Sequence, residues 1–243
     1  MTTIEVKGIF FDLGGTLLFP NPEHIARIFS KFFQPVPSPN EWLKAIHHAT
    51  VILDYSLGSD DPPIIDWWLA YFKEMFPFLG LHNASSPKIT EFIEALKRAH
   101  NKQNLWCYPA LNVSRILSEL QQRGFYLGII SNSDGRLREQ LKEHNLLKFF
   151  RFHLDSKIVG CSKPDPEIFE IALKISGFAP QDVVYVGDFA NIDGKGARNV
   201  KMHSIIIDPL NLRKECPYTC IRDLSELLTI VAKGTKTSLT SRA

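Results

Sequence analysis

The sequence predicts an α/β protein: a parallel sheet flanked by helices, with a helical insertion after its first strand. Three observations predict it. Between residues 123 and 208, short apolar runs alternate with stretches of helical periodicity. A further apolar run stands alone near the N-terminus, in residues 4–12. Between the two, residues 20–105 carry helical spacing and cap signals but no strand pattern. Strands separated by helices read as a parallel sheet, because each crossover must carry the chain back to the same end of the sheet.

The elements follow in chain order. IEVKGIFFD (4–12) is the first strand. NPEHIARIFSKFFQ, SPNEWLKAIHHATVILDY, PPIIDWWLAYFKEMFPF and SPKITEFIEALKRAHN each open on Pro, Ser or Asn. Each then places apolar residues three and four apart, which predicts four amphipathic helices. FYLGIIS (125–131) is a buried strand by its length and β-branched content, and GRLREQLKEHNL after it is helical. FRFHLDS is the next strand, and PEIFEIALKISG the next helix, with Pro166 in its first turn and Gly177 at its end. VVYVGD (183–188) and SIIID (204–208) complete five strands, with a short helix in NIDGKGARNV between them. DLSELLTIVA (223–232) reads as a closing helix. The expected division is a core of residues 1–19 and 106–243 and a helical insertion of residues 20–105. Insertions of that size in an α/β domain are commonly lids or substrate-selecting parts.

Composition narrows the function classes. The chain has 243 residues, 44% of them hydrophobic and 22% charged, which is ordinary for a globular protein and too apolar for a disordered one. Net charge is +2 with no clustered basic run, so neither nucleic acid nor a membrane surface is an expected partner. No stretch reaches the 18 apolar residues of a spanning helix, and the N-terminus lacks the basic and small-residue marks of a leader. The four cysteines read as reduced thiols of a cytoplasmic protein. Cys216 and Cys220 form a CPYTC pair, but zinc sites draw on a second such pair, and the sequence has none. The polar tail from Lys233 is expected to fray. The sequence leaves the oligomeric state open.

Ligands of an open parallel sheet bind beyond the carboxyl ends of its strands. Asp12 ends the first strand, Ser131 and Asn132 end FYLGIIS, and Asp188 ends VVYVGD. Lys163 lies in GCSKPDP, just before a helix. Singly, each reads as a turn, cap or loop residue. Together on one rim they make a coherent site. A carboxylate can attack phosphorus to form an aspartyl phosphate. Lys163 supplies positive charge for the phosphoryl oxygens. Asp12 and Asp188 suit Mg²⁺, a hard cation that takes oxygen ligands. The Ser131 hydroxyl, with backbone N–H groups at a helix start, suits a phosphate oxygen.

The stretches FFDLGGTLL, GIISNSD, SKPDPEIF and VGDFANID, in that order over residues 8–208, resemble the four signature motifs of the haloacid dehalogenase (HAD) superfamily. The WW pair, ISNSDGRL and VGDFANIDGKGARNVKMHS also resemble a narrower eukaryotic group, the haloacid dehalogenase-like hydrolase domain-containing protein 3 family. The resemblance implies a Rossmann-like core with a helical cap domain of the first insertion type. It implies that Asp12 is nucleophile and magnesium ligand, that Ser131 binds the transferring group, and that Lys163 steadies its charge. Asp188 would complete the metal site, Asp193 would orient Lys163 or metal-bound water, and Thr16 would support the turn through its hydroxyl.

At position 14 the sequence departs from that pattern. Phosphatases of the family carry DxDxT, where the second Asp is general acid and then general base, and here it is Gly14. The family's metal contact at that position is a backbone carbonyl, which Gly14 retains. The proton shuttle is lost, a factor of roughly 10²–10⁴, or about 3–5 kcal/mol of barrier. The loss bears on alkoxide leaving groups and little on acyl or aryl phosphates. Water, Asp134 or a carboxylate of the insertion could substitute, though Asp134 reads first as a cap for the helix at GRLREQL.

The expected function is therefore a Mg²⁺-dependent phosphatase acting on a small phosphorylated metabolite. The alternatives are a catalytically impaired binding protein, favoured by Gly14, and a 2-haloacid dehalogenase. The family's dehalogenases have an aromatic residue at position 14 and a nearby cap arginine, and neither is evident. In the insertion, Trp67, Trp68, Phe72, His47 and His48 are candidates for the entrance, although such residues read first as packing. Adjacent His47 and His48 point about 100° apart on a helix and cannot share a metal. Leu17, Leu18 and Phe19 are the expected hinge, with closure excluding water.

Overall fold

The computed structural model describes residues 3–58, 66–81 and 85–234. The first apolar run divides in two, where the sequence reads one strand. β1 (Ile4–Val6) and β2 (Gly8–Phe11) part at Lys7. Its N–H donates to the Asp182 carbonyl, and its Nζ pairs with the Asp182 carboxylate at 2.8 Å. β2 enters the sheet, while β1 pairs with a strand from the far end of the chain.

β3 (Leu18–Pro20) leads out of the sheet into α1 (Pro22–Phe29), α2 (Pro39–Leu57), α3 (Trp67–Lys73) and α4 (Ser86–Lys102). β4 (Trp106–Pro109) returns antiparallel to β3, a two-stranded ribbon that the helical reading of this stretch did not anticipate. The cap signals act as read. Asn21 accepts the N–H groups of Glu23 and His24, Ser38 and Glu41 form a capping box, and Asp66 caps α3. The PPII stretch predicted to begin the third helix lies outside the described residues. So does the tail from residue 235, whereas Lys233, predicted to fray, ends a strand.

The remaining elements are α5 (Val113–Gln122), β5 (Tyr126–Ser131), α6 (Leu137–Glu143), β6 (Phe152–Asp155), α7 (Ser156–Val159) and α8 (Pro166–Ser176). Then come β7 (Val183–Gly187), α9 (Lys195–Asn199), β8 (His203–Ile207), β9 (Thr219–Ile221), α10 (Leu227–Ile230) and β10 (Val231–Lys233). Pro166 opens α8, and Gly177 closes it with φ +69°, a left-handed conformation that costs glycine little.

Six strands form one parallel sheet in the order β6-β5-β2-β7-β8-β9. The chain runs outward from β2 through β5 and β6, then crosses back to β7 on the other side of β2. The strand order therefore reverses beside β2, which opens a crevice at its carboxyl end. Both faces are covered. Ile9 and Phe11 of β2 point into a core shared with α5, α6 and α10, and Phe10 points into the other with α8 and α9. A third core, rich in Phe and Trp, lies wholly among the helices α1–α4 and their flanks, with Phe29, Trp42, Phe72 and Phe92 inside it.

The C-terminal region differs from its reading as one helix. Only Leu227–Ile230 is α-helical, preceded by a 3₁₀ turn, and Val231–Lys233 is extended against β1. β1 presents backbone groups that need partners, and this segment supplies them. β9 was also not anticipated. No helix among the described residues is long and apolar enough to cross a membrane.

Candidate active site

Three strand ends and one loop build the site. Asp12 continues β2, its N–H donating to the Val186 carbonyl at 2.9 Å. The chain then turns through Gly14 and Gly15, closed by the N–H groups of Leu17 and Leu18 on the Leu13 carbonyl at 2.9 Å. Gly15 is required twice over. Its φ is +82°, and a Cβ there would stand 2.1 Å from Asp188 Oδ2. Thr16 is fully buried, but its hydroxyl has no partner. The expected hydroxyl support for the turn is therefore absent, and the backbone bonds close it.

β5 delivers Ser131 and Asn132. The Asn132 amide grips the backbone of Lys163, accepting its N–H and donating to its carbonyl, both at 2.9 Å. This two-point clamp holds the loop before α8 against the sheet. β7 delivers Asp188 through Gly187, where a Cβ would collide with Asp193. Asp193 sits in a π-helical turn (Ala190–Gly194) before α9, and its Oδ2 accepts the N–H groups of Asp188 at 3.2 Å and Phe189 at 3.0 Å. The sequence reads a plain short helix there. The wider turn brings Asp193 back toward the sheet.

All three protons of the Lys163 ammonium have acceptors: Asp12 Oδ1 at 2.6 Å, Asp193 Oδ1 at 2.7 Å and the Tyr185 hydroxyl at 2.8 Å. Tyr185 passes the chain on to the Ile130 carbonyl at 2.9 Å. Burial works to lower the Lys163 pKa, but Asp12 and Asp193 outweigh it and hold the ammonium above its usual value. Burial pushes Asp12 up to about 6, against the pull of Lys163. Asp188 is raised well above the usual carboxylate range, by burial and then by Asp193 and Asp12. Its Oδ1 is buried without a hydrogen-bond partner.

One oxygen each of Asp12, Asp188 and Asp193 lie within 4.8 Å of one another. Three carboxylates here face one lysine. An orphaned oxygen and an excess of negative charge suit a hard divalent cation, and an all-oxygen donor set suits Mg²⁺. The residues present thus fit the ion.

Above this rim is a cavity of 420 Å³. Asp12, Gly14, Ser131, Asn132, Lys163, Asp188 and Asp193 all line it, so the strand-end residues predicted to meet do meet. Trp67, Trp68 and Phe72 line its upper wall. His47 and His48 do not. His47 stands edge-on to Phe19 and His48 stacks on Phe78. Leu17 and Leu18 are buried in the sheet's core and Phe19 lies in β3, at the root of the ribbon. Asp134 does not cap the Leu137 N–H. That bond goes to Asp155 Oδ2 at 3.1 Å, while Asp134 pairs with Arg136 and His100. Asp134 Oδ1 instead accepts the N–H of Arg136, just before the helix, at 3.3 Å.

Several residues of the site escaped sequence reasoning. Tyr185 sits in a β-branched strand, where a buried phenol signals a needed partner. Asp54 in α2 is fully buried and pairs with Arg213, also buried, in the loop after β8. Its two oxygens also accept the N–H groups of Ala190 and Asn191 at 2.8 Å. Burial pushes the Asp54 carboxyl up, against the pull of Arg213 and those donors. Arg213 donates onward to the Asp188 carbonyl at 2.7 Å. A helix of the insertion is thereby tied to the loop that carries Asp188. The readable signal was a charge on the apolar stripe of α2, four residues beyond buried Thr50.

A parallel sheet with acidic residues and a lysine at its carboxyl edge, and helices inserted after the first strand, defines a class of α/β hydrolases. The profile of the family described as haloacid dehalogenase-like hydrolase matches residues 9–207, and the chain belongs to that family. It is 32% identical over 141 residues to the haloacid dehalogenase-like hydrolase domain-containing protein 3 of Bos taurus, covering 58% of this chain and 55% of that one. The match thus spans about half the length of that relative. A phosphoserine phosphatase of Thermus thermophilus is 31% identical over 180 residues, covering 72% of this chain and 70% of that one. Among solved structures, a HAD phosphatase from Thermococcus onnurineus superposes with a TM-score of 0.56 at 25% identity, covering 93% of this chain and 97% of that one. The matched family is one of hydrolases, and the Thermus relative and the Thermococcus structure are both named as phosphatases.

Proposed function

We propose that this protein is a Mg²⁺-dependent phosphatase that hydrolyses a small phosphorylated molecule through an aspartyl phosphate on Asp12. The observation that carries the reading is the buried meeting of Asp12, Asp188 and Asp193, with Lys163 hydrogen-bonded to Asp12 and Asp193. Asp12 and Asp188, with the Gly14 carbonyl, would hold the ion. When bound, Mg²⁺ neutralises charge on the phosphoryl group and favours the ionised carboxylates. Lys163 holds the Asp12 carboxylate in place and faces the phosphoryl oxygens. The Ser131 hydroxyl binds one of those oxygens, and Asn132 fixes the Lys163 loop. Asp193 orients the ammonium. The α1–α4 insertion acts as the cap over the cavity.

Two other readings fare less well. Among the described residues no arginine lines the cavity, which counts against a dehalogenase that must hold a halocarboxylate. Gly14 favours a binding-only protein, but such a protein has no need of a fully bonded buried lysine beside a carboxylate. The test is hydrolysis of acetyl phosphate and phenyl phosphate with and without Mg²⁺, by the wild type and Asp12→Asn. Metal-dependent turnover that disappears in Asp12→Asn is expected. No turnover of either compound by the wild type overturns the reading.

A further inference from the structure

The cavity joins a charged floor to an aromatic wall, and the joint lies at Gly14. A Cβ on Gly14 would meet Trp106 Cδ1 at 3.2 Å and Nε1 at 3.4 Å, so the indole fills the space a side chain at position 14 would need. From there the wall continues through rings. Trp68 stands edge-on to Trp106 with centroids 5.6 Å apart and stacks on Phe72 at 5.5 Å. Tyr71 lies near-parallel to Trp106 at 6.2 Å, and Trp67 meets Phe189 edge-on at 6.1 Å.

Among the described residues, the wall carries no charge. Among the described residues lining the cavity, Lys163 is the only Lys, Arg or His, and it lies on the charged floor beside Asp12 rather than on the wall. An adjoining cavity of 260 Å³ contains His100, but its Nε2 faces Asp134 at 3.3 Å and its Nδ1 accepts the Leu105 N–H at 3.2 Å. Among the described residues, a carboxylate on the leaving group would meet no cation on that wall, only neutral donors such as the Trp106 indole N–H and the Ser162 hydroxyl. A flat ring would have aromatic faces and edges on several sides.

We infer that the substrate is a phosphate monoester of an uncharged aromatic alcohol, an aryl monophosphate. The inference rests on the phosphatase reading. Gly14 points the same way by a separate route. A phenol ionises near pH 10, and bulk water only near 15.7. A phenolate leaves without a proton, so the missing acid at position 14 costs the first step little, while the missing base falls equally on every substrate. In the first step an Asp12 oxygen forms a bond to phosphorus as the phosphorus–oxygen bond to the aryl group breaks. The electron pair leaves with the aryl oxygen, which then takes a proton from solvent. In the second step water attacks phosphorus of the aspartyl phosphate and gives its proton to solvent, as the bond to the Asp12 oxygen breaks, releasing inorganic phosphate and restoring the carboxylate. The sum is aryl phosphate plus water giving a phenol and phosphate.

The test compares phenyl phosphate, benzyl phosphate and O-phosphoserine on the Mg²⁺-loaded protein, with acetyl phosphate as control. Benzyl phosphate keeps the ring but leaves as an alkoxide, so it separates stacking from leaving-group acidity. Phenyl and benzyl phosphate should share a KM within about threefold, while kcat for benzyl phosphate falls roughly 10²–10⁴-fold. O-Phosphoserine should show a KM about tenfold or more above both. Trp67 is 44% exposed, so Trp67→Ala should fold, and it should raise KM for both aromatic compounds roughly 2- to 10-fold. A phosphoserine KM equal to or below that of benzyl phosphate, or an unchanged KM in Trp67→Ala, overturns the inference. If acetyl phosphate is still hydrolysed in an Asp12-dependent way, the phosphatase reading survives that result. Absence of all turnover overturns both.

Discussion

The sheet rim and the helical wall face one cavity with opposite chemistry. On the rim, a single ammonium makes three hydrogen bonds of 2.6 to 2.8 Å to groups on three separate strands or turns. On the wall, rings meet at 5.5 to 6.2 Å, and the hydroxyl of Tyr71 lies 3.5 Å from that of Thr50. Directional bonds in a buried setting fail abruptly when one partner is lost. Ring contacts weaken by degrees. In the proposed reading the rim fixes a reaction, and the wall can be recut for different ligands.

The sharpest break in that comparison is Asp12→Asn. In the proposed mechanism it replaces the nucleophilic carboxylate with an amide, and it should lower kcat for phenyl phosphate by about 10⁴-fold or more, measured by phosphate release. The wall should be untouched, so the variant should still bind the ester, seen as tryptophan quenching.

The second change tests the joint between the two surfaces. Gly14→Asp alone crowds Trp106, whose ring must give by a few tenths of an ångström, whereas Gly14→Asp with Trp106→Ala gives the carboxylate room. The double variant should raise kcat for benzyl phosphate relative to phenyl phosphate, by up to about 10²-fold. An unchanged ratio would mean that the side chain does not reach the leaving oxygen.

The third change cuts the tie between wall and rim. Asp54→Ala strands the Arg213 guanidinium in a buried site and should cost about 3–5 kcal/mol by urea denaturation. Because Arg213 also holds the Asp188 carbonyl, Mg²⁺ affinity by titration calorimetry should weaken too. A purely structural pair would lose stability without that second effect.

The smallest effect is a pH dependence at the root of the wall. Burial pushes the His47 imidazole down to about 4 from its usual 6.5, against Asp208, which raises it. Between those values the unfolded chain binds a proton that the folded chain refuses. Stability is then full above pH 6.5 and falls as pH drops toward 4, by at most about 3 kcal/mol. His47→Gln should flatten that slope in a series of urea titrations across this window.

Much of the rim was legible because each residue ends an apolar run, and parallel topology brings such ends to one edge. Asp12, Ser131 and Asp188 needed no more than that. The joins were not legible. Lys7 breaks the first strand through an aspartate 175 positions away. The Asp54–Arg213 pair spans 159 positions, and neither residue belongs to a local pattern that predicts the other. β9 and β10, three residues each, are too short to show a period. Gly14 was visible as an absence, but Trp106 over it was not, since only the β3–β4 ribbon places that ring.

That ribbon has a consequence for how such a protein can be rebuilt. Phe19 and Tyr108 are cross-strand partners, so the polypeptide leaves and re-enters the core at neighbouring points. A foreign helical segment needs only two adjacent ends to be spliced in, with no reshaping of the parent scaffold. Exchange of this segment between relatives would swap selectivity while the reacting groups stay where they were, provided that the newcomer brings its own equivalent of Asp54.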